Sequence, residues 1–374
     1  MGSRFDCIIL GGGPAGLSVA YRLSRYPDID YMILERGRLG HSWSTMHDSL
    51  KLLSPMWVNQ LPGHRFPLWR SFAKISKNEF IEYLESYAQR YRMHWTGNAP
   101  VARVTRDGGE FVVSTGTEEF RSRAVVNATG YYSAPQMPKF SENDGSIPVI
   151  HSADYESPDA LDRKLGPGKK NILIIGKRVS AGQLLEELDD AGFSLGISVR
   201  APIETRVGGI LGIIKENLYF VREKLRFLRN PYIKQNSLAL MNGGKTDRII
   251  SSGRLQQHGT IERIRNGHIE FADGSTAAYD LVICATGFVT DYPHLEGLLE
   301  PDTPLLEQLD MGEHREVPGL FFIGVDNLIS FKSRYVRGIA DDSAEVGTRL
   351  RRYLSSAKDR VDSLRGAEQV VSRP

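Results

Sequence analysis

The chain has 374 residues, which is long enough for more than one domain and for a large hydrophobic core. Hydrophobic residues make up 41% and charged residues 25%, a balance that is ordinary for a globular protein. The net charge of +2 excludes a function that rests on bulk attraction to nucleic acid or to acidic lipid.

The two cysteines, Cys7 and Cys284, each lie inside an apolar run of strand length and are predicted to be buried thiols. Two such thiols do not make a disulfide framework, so a reducing cytoplasm is the expected compartment. No basic leader precedes the first apolar run, and no apolar run approaches the roughly 20 residues that cross a bilayer. We therefore expect neither a signal peptide nor a membrane span.

The first forty residues follow a strand, turn, helix and strand pattern. The apolar run "FDCIIL" leads directly into the glycine turn "GGGPAG" at 11–16, which is followed by the helix-like "LSVAYRLSRY" and the strand-like "YMILER". The second strand closes on Glu35, whose carboxylate can accept hydrogen bonds from ribose hydroxyls. Strand, turn, helix and acid in this order predict a dinucleotide-binding unit.

Each glycine of this turn has a physical role in such a unit. Gly11 permits the tight turn, Gly13 lets the backbone approach a pyrophosphate, and Gly16 lets the helix pack close to the strand. The helix that begins at Pro14 and Ala15 directs free N–H groups and its positive dipole end at the phosphates.

A second unit of the same kind begins 165 residues after the first glycine. Its turn is "GKRVSAG" at 176–182, between the strand "NILIIG" and the helix "QLLEELDDAG". The next strand ends in Arg200 rather than in an acid, and arginine can pair with the 2′-phosphate of NADP. Gly176 and Ser180 fit the pattern, but Arg178 stands where the middle glycine is expected. Two nucleotide sites in one chain predict electron transfer between two cofactors.

Two strands that close on Ala-Thr-Gly, "AVVNATGYY" and "DLVICATGF", indicate an internal duplication, and we expect the chain to pass between domains near residues 131 and 287. The predicted fold is α/β with two Rossmann-like dinucleotide-binding domains. A discontinuous first domain is expected at 1–135 and 286–374. A second domain is expected to be inserted at 136–285, with a helical insertion at about 207–240.

These residues resemble the flavin-containing monooxygenase group of flavoproteins with two dinucleotide-binding domains. Besides the glycine turns and the Ala-Thr-Gly strands, the resemblance rests on "GHSW", "DSLKLLSP", "LPGHRFP", "HSADY", "GLFFIG" and "RGIADD". Each motif alone is loose, but their order and spacing extend over nearly the whole chain.

The resemblance implies that the first domain binds FAD and the second NADPH. The residues implied for FAD and the crossings beside it are Gly11, Gly13, Pro14, Ala15, Gly16, Glu35, Arg36, Trp43, Val101, Ala128, Thr129, Gly130, Thr286, Gly287, Gly324, Asp326, Gly338 and Ile339. Those implied for NADPH are Gly176, Arg178, Ser180, Arg200 and Arg206. Trp43, Ser54 and Arg337 are the candidates near the flavin ring, although Trp43 taken alone would be a packed core indole.

In this family NADPH reduces FAD, and the reduced flavin reacts with O2 to give a hydroperoxide at flavin carbon 4a that oxygenates a small organic substrate. The cofactor supplies the redox chemistry, while the protein orients it and excludes water. The resemblance therefore implies a flavin-dependent monooxygenase with no metal and no nucleic-acid partner. The sequence contains no HExxH motif and no paired CxxC motif. The oligomeric state stays open, with a homodimer among the alternatives.

The sequence departs from the family at three points. His151 and Tyr155 have the spacing of the family fingerprint, but Ile147 stands where the fingerprint has glycine. Leu53 or Ser54 stands where animal members carry a catalytic asparagine, and the third departure is the arginine of the second glycine turn. This last change leaves an alternative open: an FAD-dependent oxidase, a redox-neutral flavoenzyme or a binding protein that has lost NADPH use.

Disulfide reductases share the two-domain architecture and are the competing enzyme class. They need two cysteines within bonding reach beside the flavin, whereas Cys7 and Cys284 lie in different strands and different predicted domains. The cysteine positions therefore disfavour thiol–disulfide chemistry.

The stretch "ILGIIKENLYFVREKLRFLRN" at 210–230 is predicted to be an amphipathic helix. Its apolar stripe consists of Ile210, Ile214, Leu218, Val221, Leu225 and Leu228. Its basic residues are Lys215, Arg222, Lys224, Arg226 and Arg229. Three interpretations stay open: a helix packed on the nicotinamide domain with a solvated basic face, a lid over the substrate channel, and a helix on a membrane surface.

Overall fold

The computed structural model describes residues 3–132, 134–206, 209–230, 232 and 241–371. Of the expected insertion at 207–240, residues 207–208, 231 and 233–240 lie outside this part of the chain. The helices that the described residues form are α1 (Pro14–Leu23), α2 (His41–Ser44), α3 (Lys77–Arg90), α4 (Pro158–Leu165), α5 (Val179–Asp190), α6 (Gly209–Arg229), α7 (Lys245–Ser251), α8 (Leu305–Gln308) and α9 (Val336–Val371). Short 3-10 helices lie at Met56–Val58, Leu68–Arg70 and Pro293–Leu295.

The described residues form 22 strands, numbered in chain order. The first eleven are β1 (Ser3–Leu10), β2 (Tyr31–Leu34), β3 (Trp95–Thr96), β4 (Arg103–Asp107), β5 (Glu110–Ser114), β6 (Glu119–Asn127), β7 (Ala134–Pro135), β8 (Glu142–Asn143), β9 (Val149–His151), β10 (Asn171–Ile175) and β11 (Ser194–Ser198). The other eleven are β12 (Thr205–Arg206), β13 (Met241–Asn242), β14 (Gln256–His258), β15 (Ile261–Arg265), β16 (His268–Phe271), β17 (Thr276–Ala277), β18 (Leu281–Cys284), β19 (Phe288–Val289), β20 (Leu309–Asp310), β21 (Glu313–His314) and β22 (Leu320–Phe322).

The larger sheet is organised around β1. Its strand order is β20-β21-β22-β6-β1-β2-β3, and β4 is attached through β5, which pairs with β6. β1 runs parallel to both neighbours, with Cys7 opposite Tyr31 in β2 and Ala124 in β6. The side chains of Ile8 and Ile9 are fully buried in two different apolar clusters, one on each face of the sheet. A strand covered on both faces explains the unbroken apolar run in the sequence.

The smaller sheet is parallel throughout, with the order β14-β11-β10-β18-β9. In its centre, Ile174 of β10 lies opposite Ile197 of β11 and Ile283 of β18. The order β10, α5, β11 in this sheet repeats the order β1, α1, β2 in the larger sheet. The predicted α/β class with two Rossmann-like units is confirmed.

The chain positions of the strands separate the two sheets. The main strands of the larger sheet lie between Ser3 and Asn127 and again between Leu309 and Phe322, whereas those of the smaller sheet lie between Val149 and Cys284. This distribution supports the proposed limits of a discontinuous first domain around an inserted second one, and the limits themselves stay a prediction.

Helices α1, α3 and α9 cover one face of the larger sheet, and their buried apolar side chains belong to one cluster. Helix α3 begins with a capping box, in which Glu79 accepts a hydrogen bond from the Ser76 N–H at 2.8 Å and donates its own N–H to the Ser76 hydroxyl. Beneath the cap, Phe80 and Tyr87 are buried in the same apolar cluster as Val346 of α9.

Among the described residues, none of the helices combines the length and the apolar composition that crossing a bilayer requires.

Near the start of α9, Asp342 is a carboxylic acid almost entirely removed from solvent. Neither of its carboxylate oxygens has a hydrogen-bond partner within the described residues. Burial raises the pKa of Asp342 to about 7. Since an unfolded aspartate ionises near pH 4, the native state holds a proton over a range in which the unfolded state has lost it.

We expect Asp342→Asn to stabilise the protein increasingly as pH rises, because the folded pKa of the acid is raised above the unfolded value. In the wild type, the free energy of unfolding falls between about pH 4 and pH 7, because the unfolded state loses the proton there while the folded state retains it. Asparagine does not titrate, so the variant does not show this fall. Urea unfolding should show the advantage of the variant growing by about 2–3 kcal/mol from pH 5 to pH 8. Asp28→Asn, at an exposed aspartate that forms no ion pair among the described residues, is the control and should keep the pH dependence of the wild type. Parallel pH dependences for wild type and Asp342→Asn would contradict the interpretation.

Candidate active site

The first glycine turn holds α1 directly behind the end of β1. Gly11 has φ +106°, and a Cβ atom there would lie 2.7 Å from the carbonyl oxygen of Ala128. A Cβ on Gly16 would collide with the carbonyl oxygen of Gly11. Both positions therefore require glycine for the strand and helix to approach this closely.

Gly13 is different, because the space in front of it is open. It is the N-cap of α1 with φ −85° and ψ −174°, an extended backbone that any residue adopts, and a Cβ there would meet nothing within 4 Å. Pro14 and Ala15 follow as the first helical residues, and no side chain caps the helix. A helix N-terminus with free N–H groups and open space before it fits a phosphate group.

Glu35 is fixed at the same edge of the sheet. Its carboxylate is buried and accepts hydrogen bonds from the Gly12 N–H at 2.6 Å and the Gly37 N–H at 3.2 Å. The next residue, Arg36, is exposed and reaches the Ser42 hydroxyl at 3.4 Å. The predicted acid at the end of the second strand is therefore held beside the first glycine turn.

Two more strands end at this edge. β6 leads into Ala128, Thr129 and Gly130, and β22 leads into Gly324, where a Cβ would lie 3.3 Å from the Cβ of Ala15. The ends of β1, β6 and β22 thus converge on the start of α1, as expected for the carboxyl ends of parallel strands. Val101 is half-buried and packs against the apolar cluster on the other face of the sheet.

Asn127, which the sequence analysis did not single out, lies at the end of β6 with an unused donor. Its side-chain oxygen accepts hydrogen bonds from Thr129 Oγ1 and His294 Nε2, both at 3.1 Å. Its amide nitrogen is buried and has no partner among the described residues. A buried donor without a partner lowers the stability of the protein, so this amide fits an acceptor atom of a ligand bound at this edge of the larger sheet. The position immediately before the Ala-Thr-Gly motif is the sequence signal that could have identified it.

Two residues predicted to contact a cofactor are paired within the protein. Asp326 accepts hydrogen bonds from Arg334 at 2.7 and 2.6 Å. Arg337 binds Glu223 of α6 through Nε at 3.0 Å and Nη2 at 3.3 Å, and its guanidinium lies 4.0 Å from the centroid of the Tyr335 ring. Gly338 and Ile339, the other predicted contacts on this stretch, lie in the first turn of α9. Arg337 therefore connects α9 to the helical insertion.

Trp43 packs against α3, and Ser54 is buried in the segment that precedes α3 in the chain. The indole of Trp43 is half-buried and meets Phe80 edge to face at 4.7 Å, which agrees with the alternative of a packed core indole. Ser54 is buried and bonds to Asn59, whose amide nitrogen donates to the Ser54 backbone oxygen at 2.9 Å. Their placement near a flavin ring stays a prediction.

The second glycine turn has the backbone of the first one. Gly176 has φ +140°, and a Cβ there would lie 2.6 Å from the carbonyl oxygen of Ala285. Arg178 is the N-cap of α5 with φ −112° and ψ −174°, close to the backbone conformation of Gly13. Arginine at this position therefore strains nothing, and its side chain begins where the first turn leaves open space.

Cations collect at this second turn. Lys177 and Arg178 are half-buried, Arg200 is exposed, and within the described residues none of the three side chains forms a hydrogen bond or an ion pair. Ser180 is exposed in the first turn of α5. For Arg206 the structure places the backbone in β12, and its side chain lies outside the described part. Unpaired cations around a helix N-terminus fit phosphate groups.

The fingerprint residues hold the crossing between the two sheets together. His151 Nδ1 accepts the Ala153 N–H at 3.1 Å, so Nε2 carries the proton and donates to the Gly287 oxygen at 2.9 Å. Burial lowers the pKa of His151, which favours this neutral form. At the same crossing, the Thr286 hydroxyl donates to the Gln136 oxygen. Ile147, in place of the fingerprint glycine, is buried in the apolar cluster beneath the smaller sheet.

His47 contacts α5, although no motif in the sequence indicated this pairing. His47 Nδ1 lies 3.5 Å from Glu187 Oε2, and the backbone N–H of Asp48 donates to the Glu156 oxygen at 2.9 Å. Tyr155, the last fingerprint residue, is buried nearby, with its ring centroid 6.3 Å from that of His47. These contacts join the region before α3 to the second unit.

Neither cysteine is placed for thiol chemistry. Cys7 lies in β1 of the larger sheet and Cys284 in β18 of the smaller one, and both are free and buried. Burial raises the pKa of Cys284 to about 12 and also raises that of Cys7. Nor do the described His, Cys, Asp and Glu side chains assemble in groups of three or more that could hold a metal ion.

Helix α6 is bound to the part of the protein that carries the larger sheet. Trp57 Nε1 donates to Asn217 Oδ1 at 2.9 Å, and Lys74 pairs with Glu216 at 2.8 Å. With the Arg337–Glu223 pair, these contacts run along one face of the helix. The structure therefore does not support packing on the second unit alone, the first of the three interpretations of this helix.

Residues 8–218 match a protein family described as pyridine nucleotide-disulphide oxidoreductase. An uncharacterized oxidoreductase, CzcO-like, from Geobacillus kaustophilus is 25% identical over 90% of this chain and 96% of its own length. The probable indole-3-pyruvate monooxygenase YUCCA1 of Arabidopsis thaliana is 28% identical over 76% of each chain. The structure of a flavin-containing monooxygenase from Stenotrophomonas maltophilia aligns with a TM-score of 0.74 at 23% identity, over 94% of this chain and 99% of that one. This structural likeness shows the fold.

We expect Gly13→Val to abolish FAD retention without unfolding the protein. The side chain has room in the protein itself, but its branched carbon atoms would occupy the open space that fits a pyrophosphate. Flavin absorbance of the purified variant should be lost after attempted reconstitution, while the circular dichroism spectrum and the melting temperature of the FAD-free protein stay close to the wild type.

Gly259→Val is the matched control, because a Cβ at Gly259 also meets nothing within 4 Å and that glycine follows β14 of the smaller sheet, away from the first turn. It should retain FAD. Stoichiometric FAD in the Gly13→Val protein would show that the open space before α1 is not the pyrophosphate site.

Proposed function

The chain belongs to the pyridine nucleotide-disulphide oxidoreductase family, and from this we propose that it is an FAD-dependent monooxygenase that uses NADPH and O2 to oxygenate a small organic substrate. The resemblance to flavin-containing monooxygenases is confirmed, and with it the class of flavin-dependent oxidoreductases. The observation that carries the proposal is the pair of helix N-termini: α1 begins at an open glycine, and α5 begins among unpaired cations.

The first turn fits FAD. The N–H groups at Gly13 and the start of α1 would bind the pyrophosphate, Glu35 would orient the ribose, and Asn127 would donate its free amide hydrogen to an acceptor of the cofactor. When bound, FAD supplies the two-electron chemistry that links NADPH oxidation to O2. The protein contributes binding, orientation and the exclusion of water around it.

The second turn fits NADPH, but through side chains more than through backbone. The Cβ of Arg178 hinders the close approach of a phosphate to the helix N-terminus that glycine permits. Its guanidinium, which has no partner among the described residues, would bind that phosphate instead. Arg200 would bind the 2′-phosphate, which distinguishes NADPH from NADH.

Thiol–disulfide chemistry is disfavoured by the cysteines themselves. Cys7 and Cys284 lie in different sheets, and burial keeps both in the thiol form. Oxygenation requires no protein nucleophile, which agrees with a site made of helix N-termini and strand ends. Two free cysteines also favour the reducing cytoplasm as the compartment.

Arg178 also favours a second candidate function. If the arginine side chain filled the phosphate position, the protein would retain FAD and lose NADPH use, and would act as an oxidase, a redox-neutral flavoenzyme or a binding protein. The two candidates differ in whether NADPH reduces the bound flavin.

We expect Arg200→Ala to raise the apparent Michaelis constant for NADPH by about tenfold or more and to leave that for NADH nearly unchanged. A charge-assisted hydrogen bond to the 2′-phosphate is worth roughly 1.5–3 kcal/mol, and NADH lacks that phosphate. Steady-state NADPH and NADH oxidation measures both constants. Arg163→Ala, at an exposed arginine of α4, is the control and should change neither. Equal losses for the two cofactors would assign Arg200 another role.

For Arg178 we expect the flavin to be reduced fastest in Arg178→Gly, more slowly in the wild type and slowest in Arg178→Ala. Glycine removes the Cβ that hinders phosphate approach, whereas alanine keeps the Cβ and loses the guanidinium. Anaerobic rapid mixing with NADPH, followed by flavin absorbance, gives the three rates. If no protein of the series is reduced, with or without candidate substrates, NADPH-driven oxygenation is rejected and the second candidate function takes its place.

A further inference from the structure

Helix α6 turns its polar face towards the protein. Its only acids, Glu216 and Glu223, lie on the side that contacts Lys74 and Arg337, and Phe220 between them is buried. Amphipathic helices of globular proteins ordinarily bury the apolar face instead. The arrangement of α6 is therefore the reverse of the usual one.

The apolar stripe of α6 points to the opposite side. Five of its predicted members are between 44% and 72% exposed: Ile214, Leu218, Val221, Leu225 and Leu228. Leu211, which was not predicted as a member, is 66% exposed and extends the stripe to six residues. They recur at spacings of three and four residues, which places them on one continuous face. At 100° per residue, the centre of this stripe lies about 180° from the docked face of Glu216, Phe220 and Glu223. Ile210, predicted as a member of the stripe, has its side chain outside the described part.

Basic residues border the stripe on both sides. Lys215, Arg222, Arg226 and Arg229 follow one border and Lys224 follows the other; all are exposed, and none has an acidic partner among the described residues. Since both acids of the helix are used at the docked face, the exposed surface of α6 carries only positive charge.

A second exposed apolar segment lies beside the helix. Leu68, Trp69 and Phe72 are between 70% and 87% exposed. The backbone between Trp69 and Phe72 is bound to Trp57, whose backbone N–H donates to the Ser71 oxygen at 2.8 Å and whose indole donates to Asn217 of α6. We call the six stripe residues, the five bordering cations and these three residues the α6 surface.

We propose that the α6 surface binds the interface of a membrane containing anionic lipids, with the helix lying in the plane of the membrane. The apolar stripe would enter the boundary between headgroups and acyl chains, and the bordering cations would meet lipid phosphates. An exposed tryptophan and phenylalanine beside the helix suit the same interface. The inference rests on the docking and charge of α6 and is independent of the proposed function.

A second copy of this chain fits the surface less well. Pairing two α6 stripes, in either direction, would bring cations against cations, because both borders are basic and the acids face inward. An anionic lipid surface complements this charge pattern, and the modest net charge of the whole chain does not oppose a local attraction.

The test is sedimentation of the purified protein with vesicles of phosphatidylcholine, with and without phosphatidylglycerol. We expect binding to the anionic vesicles that weakens with salt, and little binding to neutral ones. Arg222→Glu/Arg226→Glu should lower the partition coefficient by at least about 25-fold, since each cation contributes roughly fivefold. Leu218→Glu/Leu225→Glu should abolish binding, because it places charge in the stripe that would enter the membrane.

Two matched controls separate this surface from general charge and hydrophobicity. Arg163→Glu/Lys164→Glu reverses two exposed cations of α4, and Met137→Glu replaces an exposed apolar residue outside α6. Both should bind vesicles as the wild type does. Failure of the wild type to sediment with either vesicle overturns the proposal. So does a lipid-free dimer, seen by analytical ultracentrifugation, that Leu218→Glu/Leu225→Glu converts to monomers.

Discussion

The contact between the first glycine turn and the start of α1 determines where the site lies. Gly16 approaches the Gly11 carbonyl so closely that no side chain fits between them, and Gly11 itself is pressed against Ala128. The helix must therefore begin at the carboxyl edge of the larger sheet, with its N–H groups directed into the space beyond that edge. Because β6 and β22 are hydrogen-bonded into the same sheet, their ends are brought to the same place.

The second unit repeats this topology while changing how a phosphate is recognised. Ala181 in α5 corresponds to Gly16 in α1, and Arg178 takes the extended backbone of Gly13. A Cβ at this position weakens recognition through backbone N–H groups, whereas a guanidinium can reach a phosphate from further away. Backbone recognition dominates at one turn and side-chain recognition at the other, on closely similar frameworks.

Helix α6 shows how pairing across distant parts of the chain can override local pattern. The charge pair between Glu223 and Arg337 joins residues 114 positions apart, and Asn217 is tied to Trp57. These polar contacts fix the rotation of the helix about its axis. The apolar stripe then faces outward, where periodicity alone would have placed it inward.

The sequence by itself determined the two Rossmann-like units, the glycine turns, the acid at Glu35 and the existence of an amphipathic helix, because each depends on spacing within one short segment. It did not determine the free amide of Asn127, the engagement of Asp326 and Arg337 with other side chains, or the contact between His47 and Glu187. Those features depend on which distant side chains meet when the sheets and helices pack. A pattern of neighbouring residues does not specify such long-range contacts. The backbone at Arg178 was decided in the same way: the sequence showed a missing glycine, and only the folded turn showed that an extended conformation accommodates arginine without strain.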